Sequence, residues 1–161
     1  MENEKKTGAM EPDDIIETDE SEYILLPEGD YIFKVESTER GDFPGGRKIG
    51  PCPKVTLTVS VETDEGTAFC REDLLLTHEL EWKLSAFFRS IGQKKKGERL
   101  KMNWFDVIGR LGRAHFKPRT YVKDGEERQT NSLVRFIDPK DGEDLNRMRE
   151  AEALEGDELP L

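Results

Sequence analysis

No stretch of this chain approaches the roughly 20 consecutive apolar residues that a membrane-spanning helix needs. The opening Met1-Glu2-Asn3-Glu4 is acidic where a secretory leader would be basic and then apolar. The expectation is a cytoplasmic protein. Cysteine and histidine are scarce: Cys52, Cys70, His78 and His115 are all there is, and none are paired at metal-ligand spacing. That spacing argues against a zinc module, and two cysteines in a chain of this length argue against a disulfide scaffold. Two reduced thiols, no metal and no cofactor are expected. Hydrophobic residues make up 34% and charged residues 37% of the 161. The balance is too polar for a core running through the whole chain, so part of it is expected to be disordered.

Catalytic constellations are equally thin. The acids fall mostly in tails and turns, without a paired-carboxylate arrangement. Cys70 and His115 make a nucleophile and base only if the fold joins them. Gly41 to Gly46 lacks the spacing and Ser/Thr of a phosphate loop, and Gly92 to Gly97 is followed by Glu98 instead of lysine. Gly109-Arg110-Leu111-Gly112 has the spacing of a KH-type clamp in the wrong order of elements, and these glycines read as turns. A non-enzymatic protein is expected.

What the chain does have is charge, unevenly placed. The net charge is -10. Residues 1–22 hold nine acids against two lysines, and residues 141–161 hold eight acids against two arginines. The middle, 23–140, is net +3, and within 89–119 ten Lys/Arg face only Glu98 and Asp106. A basic centre between acidic ends informs about partners more than the total does. The division expected is a disordered acidic arm (1–22), one domain (23–140) and a disordered acidic tail (141–161).

Within the centre the apolar period is two, then 3.6, then two again. Tyr31, Phe33 and Val35 alternate with polar neighbours as a first strand. A loop from Gly41 to Pro53 follows. Val55, Leu57, Val59 and Val61 line one face of a second strand, and Asp64-Glu65-Gly66 turns into a third, Thr67 to Leu76. Leu80, Leu84, Phe87, Phe88 and Ile91 then form a helical stripe, with Thr77 as N-cap and Gly92 as stop. Alternation returns in Arg113 to Val122 and in a last strand, Glu127 to Ile137, with Val134 and Phe136 inward. Three strands, a helix and two strands is the order of an OB-fold, a partly open five-stranded barrel. The expected class is mainly β, an OB-like β-barrel.

The fourth strand carries the chemistry. Arg113, His115, Lys117, Arg119 and Tyr121 share one face, with Ala114, Phe116, Pro118, Thr120 and Val122 on the core side. Cations neutralise phosphates and an aromatic plate stacks on an unpaired base, which suits a single strand. Arg110 and the run Lys94, Lys95 and Lys96 could extend the phosphate track, and Trp104 could be a second plate or a core residue.

Four stretches, LLPEGDYIFKV (25–35), PCPKVTLTV (51–59), EWKLSAFFRSIGQKKKGE (81–98) and GRLGRAHFKPRTY (109–121), resemble a family of bacteriophage proteins catalogued as a domain of unknown function. That family is often placed near phage replication and recombination genes, which implies a bacterial host cytoplasm and is compatible with DNA binding. The C-terminus resembles the tip of bacterial single-stranded DNA-binding proteins: acids, an aliphatic, proline, phenylalanine. Asp157, Glu158, Leu159 and Pro160 fit that plan, and Leu161 departs from it by replacing phenylalanine. The resemblance implies that these five residues recruit replication or recombination proteins. Together the readings predict a phage single-stranded DNA-binding protein, possible as a homo-oligomer. Two alternatives stand beside it: an acidic inhibitor of a host nuclease or defence complex, and a recombination accessory that binds mainly protein.

Overall fold

Alternating apolar and polar side chains build the five strands: β1 (Gly29–Phe43), β2 (Cys52–Thr63), β3 (Gly66–Leu75), β4 (Leu111–Lys123) and β5 (Glu126–Ile137). One helix, α1 (Glu81–Ser90), lies between β3 and β4, preceded by a 3₁₀ turn, His78–Leu80. This computed structural model describes residues 9–16 and 23–147. Every neighbouring pair of strands is antiparallel, in the order β3-β2-β1-β4-β5. The fold is mainly β with one short helix, in the element order that the periodicity predicts. Among the described residues no helix is long and apolar enough to cross a membrane.

Val55, Leu57, Val59 and Val61 all reach the core, as the period of two requires. The expected loop from Gly41 to Pro53 is shorter than it reads: β1 and β2 stay paired out to Phe43↔Cys52. α1 covers the core with Leu84, Phe87 and Phe88, and Ile91 follows at its end. Phe87 lies between Phe136 (ring centroids 5.2 Å) and Trp104 (5.9 Å), and Phe136 in turn meets Phe33 at 6.0 Å. These rings tie the helix to β1 and β5 through contacts of the edge and offset kinds that aromatic pairs favour.

The helix ends confirm one expectation and correct another. Gly92 takes φ +78°, its N–H donates to the Arg89 carbonyl, and Gln93 N–H donates to the Phe88 carbonyl. That is a Schellman ending, which the left-handed residue permits. Thr77 does not cap the helix, because its hydroxyl donates to the Glu79 carboxylate. Gly112 is no turn residue either. It is buried within β4, where a Cβ would stand 2.6 Å from the Phe33 ring and 3.1 Å from the Ser90 carbonyl oxygen, so its absence lets the helix end sit down on the strand.

β5 departs from simple alternation. Ala114 pairs with Phe136 and His115 with Arg135, but Phe116 pairs with Leu133, so Val134 is an extra residue. The bulge turns Leu133 and Phe136 inward, and Val134 is exposed instead of inward. On β4 the core side ends early. Ala114 and Phe116 are fully buried, while Thr120 and Val122 are exposed.

Two asparagines hold the segments that flank the strands to this sheet. Asn131 accepts from Leu26 N–H (2.8 Å) and donates to the carbonyls of Ile24 (2.9 Å) and Phe69 (3.0 Å). It therefore joins the segment before β1 to β3 and β5, the two outer strands of the sheet. Asn146 accepts from Leu111 N–H (2.7 Å) and donates to the carbonyls of Ile91 and Leu111. Residues 141–147, expected to be the start of a disordered tail, are thus docked against β4 and the end of α1.

Candidate nucleic-acid interface

The pairing of β1 with β4 ends at Gly29↔Phe116, and from Lys117 outward β4 pairs with β5 alone. This divides the basic strand into two halves with different surroundings.

In the inner half, β1 and the docked segment supply acids. Arg113 forms a two-pronged pair with Glu143, at 2.6 and 3.3 Å, and both side chains are mostly covered. The guanidinium holds the Glu143 carboxyl below the usual carboxylate range. His115 stands directly opposite Asp30 in the register, and its ring nitrogens meet Asp30 Oδ1 at 2.7 Å and Glu28 Oε2 at 3.1 Å. Those two hydrogen bonds, Asp30 first and Glu28 second, raise its pKa, against a smaller lowering by burial and by Arg135. Arg113 and His115 do share the face opposite Phe116, but their charge is already matched by carboxylates.

In the outer half β4 leaves β1 and pairs with β5 alone, and β5 meets β3 at Asn131. Lys117, Arg119 and Tyr121 are exposed on one face. Their partners on β5 are Ser132, Thr130 and Arg128, and directly opposed residues of an antiparallel pair share a face. Arg128 therefore sits across from Tyr121, and Lys123 lies one step further along β4 on the same side. Among the described residues Lys117, Arg119 and Lys123 form no salt bridge, and Arg128 makes one loose contact of 3.7 Å with Glu126. Reading β4 alone misses Arg128, because only the strand register places it beside Tyr121.

The other candidates go elsewhere. Lys94, Lys95 and Lys96 line an open groove of about 450 Å³ whose facing residues include Asp138, Asp141, Glu143 and Asp144. Arg110 is half-buried just before β4, its backbone carbonyl accepting from Val35 N–H. Trp104 is corrected from a base platform to a core residue: it is 8% exposed and stacked on Phe87 at an interplanar angle of 10°. Asp157, Glu158, Leu159, Pro160 and Leu161 lie outside the described residues, as do residues 1–8 and 17–22 of the acidic arm.

Cys70 and His115 do not meet as nucleophile and base. The buried Cys70 thiol donates to the Asn131 carbonyl at 3.5 Å, and burial pushes its pKa up to about 12. A thiol so held is not a ready thiolate. Among the described residues no group of His, Cys, Asp or Glu is arranged to hold a metal ion. No protein-family model and no curated protein matches this sequence.

Proposed function

We propose that this protein binds single-stranded DNA on the outer half of its β4–β5 ribbon, as an OB-type module of a bacteriophage replication or recombination system. The observation that carries the reading is the ribbon face: Lys117, Arg119, Lys123 and Arg128 lie on the side of the exposed Tyr121, with Glu126 opposite Lys123, and none of the four is paired with the acids that engage Arg113 and His115. Four cations can track a backbone while the ring takes a base. Three features support the OB reading: the order of elements, the strand order, and the Asn131 side chain spanning from β5 to β3. The acidic C-terminal tip then recruits partner proteins, as its resemblance to bacterial single-stranded DNA-binding proteins implies.

The test is fluorescence anisotropy with labelled single- and double-stranded oligonucleotides of equal length at two salt concentrations. Tighter binding of the single strand, weakening as salt rises, is expected. Replacing Lys117, Arg119 and Arg128 together by alanine is expected to lower the magnitude of the log–log salt slope by about 2, at about 0.7 for each lost phosphate contact. Tyr121→Ala is expected to cost about 1–3 kcal/mol of binding. No binding to either oligonucleotide would sink the reading and favour the protein-inhibitor alternative.

A further inference from the structure

Two aromatic residues adjacent in sequence are sent in opposite directions by the loop between α1 and β4. Trp104 is packed on Phe87 and Phe88, while Phe105 is 85% exposed. The loop fixes this arrangement. Asn103 Oδ1 accepts from Phe105 N–H at 3.0 Å, Asn103 Nδ2 donates to Asp106 Oδ2 at 3.0 Å, and Gln93 Nε2 donates to the Asp106 carbonyl at 2.9 Å. With Trp104 anchored in the core, Phe105 is presented to solvent on a braced backbone.

An exposed phenylalanine alone needs no explanation. Its company does. Phe105 shares an open pocket of about 330 Å³ with Arg40, Lys101, Met102 and Asn103. Arg40 reaches it from β1, beyond Lys34↔Leu111, the last pair that β1 makes with β4. Among the described residues neither Arg40 nor Lys101 forms a salt bridge, so two uncompensated cations flank one exposed ring. A phosphodiester with an unstacked base offers both complements at once: an anion for the cations and a π-face for the ring.

We propose that Phe105, with Arg40 and Lys101, forms a second subsite for single-stranded nucleic acid, in which one base stacks on the Phe105 ring while the adjoining phosphate lies against the two cations. The proposal rests on the single-strand reading given above and adds to the ribbon a subsite formed by β1 and the α1–β4 loop.

The test uses the full-length chain, a fluorescein-labelled thymidine oligonucleotide, and ultraviolet crosslinking followed by peptide mass spectrometry. Phe105→Ala is expected to weaken binding about 5- to 150-fold, the range that base stacking supports. Phe105→Trp is expected to restore it. Arg40→Ala with Lys101→Ala is expected to lower the magnitude of the salt slope by about 1.4. Crosslinks are expected at Phe105 in the unaltered protein, a readout that does not depend on how any variant folds. If the unaltered protein binds the oligonucleotide but Phe105→Ala binds equally well and no crosslink maps to the loop, the subsite is overturned and the ribbon stands. If the unaltered protein does not bind at all, both readings fall. If Phe105→Ala splits a dimer in sedimentation while affinity is unchanged, Phe105 is a self-contact and the subsite is overturned.

Discussion

Replacing Asn131 by alanine tests how the outer strands are held. The side chain is 5% exposed and makes three hydrogen bonds, to Leu26 N–H, the Ile24 carbonyl and the Phe69 carbonyl. Alanine removes all three and leaves one donor and two acceptors buried without that partner. At about 0.5–1.5 kcal/mol for each bond, the loss is about 1.5–4.5 kcal/mol, and orphaned groups push it toward the upper end. Against a typical total stability of about 5–15 kcal/mol this is a large fraction. Asn131→Asp is expected to be no better, because its second oxygen would face two carbonyls in place of an amide donor. Urea unfolding followed by circular dichroism is the assay, with the midpoint falling and the slope held. A loss below about 0.5 kcal/mol, less than one ordinary hydrogen bond, would refute the claim that this side chain clamps β5 to β3 and to the segment before β1.

The His115 pairing carries a pH signature. Its pKa is raised in the folded state, so its stabilisation is fully present below the ordinary histidine value near 6.5 and is lost as pH rises through the folded value. The stability difference between the unaltered protein and His115→Gln is therefore expected to be largest in mild acid and to shrink toward alkaline pH, read from urea midpoints; parallel curves would show that the ring is not charged by Asp30 and Glu28. Because those carboxylates already engage it, His115→Gln is also expected to leave the salt slope of oligonucleotide binding unchanged, unlike the ribbon substitutions.

The order of elements was legible in the sequence because it rests on period alone. Val55 to Val61 show the clearest alternation and Leu84 to Ile91 the clearest helical stripe, and the structure buries the apolar face of each. Val134 was misread because one extra residue reverses every side chain beyond it. The trace it leaves, Leu133 and Phe136 three apart, is visible only once a bulge is considered. The inward turn of Trp104 rests on the Asn103 and Gln93 hydrogen bonds of the loop, which carry no periodic signal. The basic face of β4 was legible, but its division was not. That division depends on where β1 stops, on Asp30 standing opposite His115, and on Glu143 returning to Arg113 from a distant part of the chain. Asn131 and Asn146 carry no periodic signal, since their partners are backbone groups far away in sequence.

Two shortened chains separate the docking of residues 141–147 from the charge of the residues that follow them. A chain ending at Arg147 keeps Glu143 on Arg113 and Asn146 on Leu111 and Ile91, and loses five acids against one arginine. A chain ending at Pro139 loses those docking contacts as well. The three Asn146 bonds at about 0.5–1.5 kcal/mol each predict that the Pro139 chain is less stable by about 1.5–4.5 kcal/mol, while the Arg147 chain matches the full length in urea. Binding should separate them too. Both are expected to bind single strands at least as tightly as the full chain at low salt, since anionic competitors are gone. The gain should fade as salt rises, with screening over about 8 Å at physiological ionic strength. Both slopes are expected to steepen, and that of the Pro139 chain by about 0.7 more, for the one phosphate contact that the freed Arg113 adds. Glu143→Gln provides the same release with the Asn146 bonds in place, and should add the same amount, about 0.7, to the slope of the full-length chain. If the Pro139 chain is as stable as the full length, the docked segment holds nothing. If Glu143→Gln leaves the slope unchanged, Arg113 is a structural cation and the interface begins at Lys117.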